Sequence, residues 1–261
     1  MPLPRLPRRL RHGEEAALVD HLGELRARLV VSLGAIAVGF VFAYIFHERL
    51  IDWLARPLPP ERRHDLVTLG VTEPFFTAIK VSFYAAFALA LPVILWQVWS
   101  FLAPAVEKNA QRIVATFVGL ATVLFAGGLA FAYWIALPKA VTFLTNFDEE
   151  LYDVQIRASY YYSFAALTIV ALAVVFELPI FILALVRLRV LTSAKLRRNR
   201  RIGYPAVVAL AVILPTVDPV SLLLEAVPLL LLFEGSIWAS VLLEKRWHRT
   251  GAPEPTGSQA A

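Results

Sequence analysis

The sequence predicts an all-α, polytopic membrane protein with six transmembrane helices and both termini on the cytoplasmic side. Three observations lead there. Of 261 residues, 59% are hydrophobic and 17% charged, with a mean hydropathy of +0.66; a soluble domain is about half apolar and roughly a quarter charged. Charge-free apolar runs of about 18 residues or more recur, the length that crosses roughly 30 Å of hydrocarbon as helix. Finally, the 25 Lys and Arg residues segregate. With six spans, eighteen of them fall on the side of the termini and six on the other, with Lys80 near a boundary. The positive-inside rule then places both termini in the cytoplasm.

The first span is expected at residues 29–46, after a segment too long and too charged for a cleavable signal, so it reads as an uncleaved anchor. Residues 81–106 and 113–137 form the second and third spans, separated by a turn around 104–112. The fourth, 158–186, is interrupted by Glu177 with Pro179 two residues later. The fifth, 202–217, has 16 residues and spans about 24 Å, short of an average core. The sixth, 219–243, contains Glu225, Pro228 and Glu234, so the closing pair is short or irregular. Residues 47–74 and 138–157 are expected as outer loops, the second carrying Asp148, Glu149, Glu150 and Asp153. In domain terms, 1–17 is a basic cytoplasmic arm, 18–245 the membrane domain and 246–261 a disordered tail.

Several function classes drop out. There is no cysteine, no phosphate-binding glycine loop and no nucleophile elbow; His47-Glu48 begins like a zinc-protease helix, but Ile51 stands where the second ligand belongs. No catalytic residue, metal site or cofactor is expected, and the net charge of +5 is a matter of topology rather than of nucleic-acid binding.

The charges the spans tolerate are the informative residues. Glu177 lies about 14 Å into the membrane from the nearer end of its span. An ionised carboxylate there needs a partner, a wet cavity or a proton; a helix–helix hydrogen bond by the neutral acid is the plain alternative. Glu225 and Glu234, nine residues apart, fall on opposite faces of a regular helix, whereas Asp218 and Glu225 can share one. Asp218 also precedes Pro219, the arrangement of a helix N-cap ahead of proline. On the cytoplasmic side, Leu18, Leu22, Leu25 and Leu29 make one apolar helical face. There Glu24 can pair with Arg28 at i+4, or point outward to grip a guanidinium through two charge-assisted hydrogen bonds; spacing leaves both open.

Three blocks carry a resemblance: His21-Leu22-Gly23-Glu24-Leu25-Arg26-Ala27-Arg28-Leu29, then Pro74-Phe75-Phe76-Thr77-Ala78-Ile79-Lys80, then the run 92–105 from Pro92 through Trp96, Trp99 and Phe101 to Pro104-Ala105. With Phe131-Ala132-Tyr133, Phe176-Glu177-Leu178-Pro179 and Asp218-Pro219 followed by Pro228 and Phe233-Glu234, they make residues 18–245 resemble TatC, the six-span subunit of the twin-arginine protein translocase. The resemblance implies a receptor rather than an enzyme. It would bind twin-arginine signal peptides of folded precursors at the cytoplasmic face of the inner membrane, and gather small single-span subunits of the TatA and TatB type for export driven by the proton-motive force. It also implies several copies of the chain, a homo-oligomer, within a larger complex in the lipid bilayer.

By position, Glu24, Arg26 and Arg28 match the signal-binding motif, and Phe101 an aromatic of the same site. Glu177 matches the buried glutamate of a concave groove, and the region with Asp218, Glu225 and Glu234 matches the docking surface for the small partners. One departure stands out: relatives usually carry a second acid where this chain has Ala110, and Glu107, three residues earlier, is the candidate to replace it. Leu222 likewise stands where many relatives have Gln. The rival reading is a proton-coupled secondary transporter using Glu177, Glu225 and Glu234 as a relay. The absence of an internal repeat and the opposite faces of the last two acids weigh against it.

Overall fold

Two long helices set the frame. The apolar residues 29–45 belong to α1 (His12–Ile45), which lies against α3 (Glu73–Leu102). Arg28 reaches Gln97 at one end of this pair and Gly39 faces the Ala86 backbone further along, so residue numbers rise on one helix as they fall on the other. In this computed structural model the described residues are 12–63, 65–102, 110–147, 151, 155–188, 190–216 and 218–250. Residues 1–11, Glu107, the acidic residues Asp148, Glu149, Glu150 and Asp153, and the tail from 251 onward lie outside them.

The third apolar stretch departs from expectation. Instead of ending at 137 and giving way to a loop, α4 (Ala110–Phe131) passes through a π-helical turn at Ala132–Ala136 into α5 (Leu137–Asn146). The cause is Pro138. A proline inside an α-helix lacks an N–H and its ring strikes the carbonyl four residues back, here that of Trp134. The wider turn, in which the Leu137 N–H bonds to the Ala132 carbonyl, relieves the clash and lets the helix continue.

The fourth stretch is two helices, α6 (Ala158–Val175) and α7 (Leu178–Arg187), broken at Phe176 and Glu177. After α8 (Ser193–Arg198) come α9 (Arg200–Ile213) and α10 (Pro219–Thr250). α9 starts and stops earlier than the expected 202–217, and its 14 residues extend about 21 Å. α10 runs past residue 245, so residues 246–250 are helical rather than disordered tail. The stretch from Val241 to Thr250 holds no Gly or Pro to stop it, and Gly251 is the first breaker.

Among the described residues five helical segments are long and apolar enough to cross a membrane: Leu22–Ile45, Glu73–Phe101, Val114–Asn146, Ala158–Arg187 and Pro219–Lys245. The protein is an all-helical, multi-pass membrane protein. α1 has little of its surface covered by the rest of the chain, whereas the Ala158–Arg187 segment is the most enclosed.

One core cluster joins the ends of α4 and α6 near Tyr133, Leu137 and Tyr161 to Leu229, Phe233 and Ile237 of α10. A second packs Leu91, Leu95 and Trp99 of α3 against Phe117, Ala121 and Phe125 of α4 and Ile180 and Leu183 of α7. The end of the molecule where α1 finishes is capped by α2 (His47–Ala55) and a 3-10 turn at Pro60–Arg62. Trp53 of α2 stacks on Tyr133 with ring centroids 3.7 Å apart, and the Tyr133 and Tyr161 hydroxyls donate to the Trp53 and Leu54 carbonyls. The opposite end is basic, with Lys195, Arg197, Arg198 and Arg200 on α8 and α9.

Candidate functional site

At the basic end, Glu24 and Arg28 are one helical turn apart, and the pairing permitted by their spacing is formed. Arg28 Nε donates to Glu24 Oε1 at 3.0 Å and Arg28 Nη1 to Gln97 Oε1 of α3 at 3.4 Å. The guanidinium therefore bridges α1 and α3 and fixes the Glu24 carboxylate beside the α3 surface. The side chains are 38% exposed for Glu24 and 23% for Arg28, so the acid remains within reach of a solute. Arg26 is exposed on the same helix, and Phe101 is half-buried at the end of α3. Ala110 is the first residue of α4, and Glu107, ahead of it, is not among the described residues.

Glu177 sits in the break between α6 and α7. Pro179 cannot donate a backbone hydrogen bond, so the chain tightens ahead of it: the Glu177 N–H bonds to Val174 and the Ile180 N–H to Glu177, both three residues back. The residue is 2% exposed, and neither carboxyl oxygen has a hydrogen-bond partner among the described residues. Beside Glu177, α4 and α6 approach closely at Gly128, and Phe131 stacks on Phe176 at 5.4 Å. A separate apolar cavity of about 280 Å³ opens among Phe42, Phe46, Trp53, Tyr84, Leu129 and Ile169; Glu177 does not line it.

The acids of the closing pair divide into two groups. At the α9–α10 turn, Asp218 Oδ1 accepts the Ser221 N–H at 2.8 Å, capping α10 ahead of Pro219, and Thr216 Oγ1 donates to Glu225 Oε2 at 2.7 Å. Both acids are buried. Towards the basic end, Glu234 accepts from Arg200 Nη2 at 2.9 Å and from the Tyr204 hydroxyl, and the Arg200 guanidinium lies 5.9 Å from the Trp238 ring centroid. Glu225 and Glu234 thus belong to different clusters, as their nine-residue spacing requires.

Sequence reasoning missed the partners that come from afar. Although Gln97 stands in the 92–105 block and Thr216 in the turn before Asp218, nothing near them in sequence names their partners. Arg200 and Tyr204 carry no local motif. Nor do Glu73 and Arg157, which meet at the capped end beside a parallel bridge between Val67 and Arg157. The hydrogen bond to Glu73 raises the pKa of the Arg157 guanidinium above its ordinary value. The weak signal available was Glu73 directly before the Pro74-Phe75-Phe76 block.

A model of the TatC family, Sec-independent protein translocase protein, matches residues 20–228. A Magnetococcus marinus protein named Sec-independent protein translocase protein TatC is 34% identical over 237 residues, covering 89% of this chain and 87% of that one. The Campylobacter jejuni protein of the same name is 35% identical over 224 residues, covering 84% and 91%. Among solved structures, a crystal structure of the twin-arginine translocase receptor TatC in DDM aligns with a TM-score of 0.75 at 34% identity, covering 84% of this chain and 99% of that chain.

Proposed function

The chain belongs to the TatC family of Sec-independent protein translocase proteins, and from that membership we propose that it is the receptor subunit that binds twin-arginine signal peptides of folded precursors. The observation that carries this reading is the Glu24 carboxylate, held by Arg28 against Gln97 yet open to solvent at the basic end. A planar guanidinium in an incoming peptide can take the place of Arg28 with the same two-pronged geometry, which a lysine ammonium cannot reproduce. Arg26 and Phe101 border the position, one for charge and register, the other as an apolar contact. Glu107 is assigned the second arginine.

The basic end faces the cytoplasm in this reading, supported by eighteen Lys and Arg residues against six. α9 then completes six crossings in the inner membrane, short enough to demand local thinning. Glu177 marks the inner wall along which the signal's apolar segment packs. The outward faces of α9 and α10, with Val212, Leu223, Val227 and Leu231 exposed, suit single-span partners of the TatA and TatB type. Glu234 contributes at the cytoplasmic edge of that surface, while Asp218 and Glu225 hold the hairpin from inside. Several copies of the chain assemble with these partners in the working complex.

The test uses the full chain in detergent with a fluorescent twin-arginine signal peptide. Binding is expected for the Arg-Arg peptide and lost for its Lys-Lys version. Equal binding of the two would sink the receptor reading.

A further inference from the structure

The turn between α9 and α10 holds three oxygens without a hydrogen-bond partner among the described residues: Asp218 Oδ2, Ser221 Oγ and Glu225 Oε1. Their residues are 5%, 1% and 0% exposed. Positions 218, 221 and 225 stand at i, i+3 and i+7, so the cap of α10 and two residues of its first two turns share one side.

Each acid has already committed its other oxygen, Asp218 Oδ1 to the Ser221 N–H and Glu225 Oε2 to the Thr216 hydroxyl. The orphans are therefore what remains after the protein's own donors are spent. Neither carboxyl forms an ion pair among the described residues. Two buried acids at the start of a membrane helix are costly when ionised unless a cation sits between them; the alternative is that each carries a proton.

We propose that Asp218 Oδ2, Ser221 Oγ and Glu225 Oε1 form a binding site for a small monovalent cation, with sodium as the ion of matching size and hardness. The chemistry narrows the choice. Calcium asks for six to eight oxygens, more than this turn leaves over, and magnesium retains several waters that fully buried ligands do not accommodate. Sodium in membrane proteins is held by side-chain oxygens together with the carbonyls at a helix C-terminal end. α9 ends here: Leu214 turns to an extended conformation with its N–H on the Ala211 carbonyl, and the carbonyls of the final residues, Val212 and Ile213, lie past the last intrahelical donors. The ion cross-links the end of α9 to the first two turns of α10 and so fixes the angle of a hairpin that is otherwise joined by a few residues.

This site is independent of signal-peptide recognition, and its test needs no translocation. The thermal unfolding midpoint of the purified full-length protein is measured at fixed pH in rising NaCl, with choline chloride at equal ionic strength as the comparison. A midpoint that climbs with the logarithm of sodium concentration, and not with choline, is the expected result. Glu225→Gln and Asp218→Asn should abolish the climb. Ser221→Ala, which removes one neutral ligand and leaves the cap of α10 intact, should raise the sodium concentration for half the effect about tenfold. The proposal is overturned if choline stabilises as well as sodium, if Ser221→Ala responds like the parent, or if the midpoint depends on pH alone, which would mean that protons neutralise the acids.

Discussion

Arg157 and Glu73, 84 residues apart in sequence, are joined by an ion pair with Nε and Oε1 3.0 Å apart, which ties together the two connections at the capped end. Glu73 is the hub. Its Oε1 also accepts the Ser159 N–H, its Oε2 accepts the Leu69 and Gly70 N–H groups, and the adjoining backbone closes through Val67 to Ile156 and Ala158. One carboxylate thus satisfies three backbone donors, two in the loop ahead of α3 and one in the first turn of α6.

Glu73→Gln is therefore expected to lower the thermal midpoint in detergent by more than Arg157→Lys does. A carboxamide can face the backbone donors with only one oxygen and turns its own N–H groups toward the others. Lysine, in contrast, keeps the charge and loses only the fork. Arg157→Ala should fall between the two, since the backbone bonds to Glu73 survive it. A reversed order would remove Glu73 as the organising residue.

The same end gives a second prediction. α2 is tethered by the Tyr133 and Tyr161 hydroxyls, which donate to Trp53 and Leu54 carbonyls at 2.9 and 2.7 Å. Tyr161→Phe leaves a buried carbonyl without its donor and should cost about 1–2 kcal/mol; Tyr133→Phe, with the Trp53 stack retained, about 1 kcal/mol. Hydrogen exchange at residues 47–55 should rise in both variants. Unchanged exchange would show that α2 is held by its apolar side alone.

Close packing supplies a third. A Cβ built on Gly128 falls 2.7 Å from the Ala173 Cα and 2.9 Å from the Phe176 Cβ, so α4 and α6 touch nearly backbone to backbone beside the Glu177 break. Gly128→Ala must push two core helices apart and should cost about 1–3 kcal/mol. Gly127→Ala, where the added Cβ meets nothing, should be neutral or slightly stabilising. Comparison of the two midpoints isolates the contact from the change in helix propensity.

What the sequence revealed follows from what is local. Apolar runs gave the membrane class because lipid makes burial of backbone polar groups a local, helical matter. Asp218 before Pro219 read correctly as a cap candidate, and the i+4 spacing of Glu24 and Arg28 offered the pairing that forms. Gln97 and the Glu73–Arg157 bond were illegible because their partners lie 69 and 84 residues away. The third span errs in the other direction. An outer loop is expected from 138 onward, but a single π-helical turn absorbs Pro138 and α5 follows.

The fourth prediction concerns Glu24. Its carboxylate is committed to Arg28 in the resting protein, so a peptide guanidinium must compete for it rather than find it idle. Glu24→Gln removes the charge but keeps shape and hydrogen-bonding capacity, and should weaken binding of the Arg-Arg peptide about tenfold or more, since a charge-assisted pair becomes a neutral one. Arg28→Gln removes one internal competitor while Glu24 keeps its charge, and should leave affinity unchanged or raise it severalfold. Because the pair is partly exposed, affinity for the parent protein should also fall with added salt, and the slope should flatten in Glu24→Gln. If Arg28→Gln weakens the peptide as much as Glu24→Gln does, Arg28 is not a competitor. It would then be the residue that positions Glu24 through Gln97, and Gln97→Ala should show the same loss.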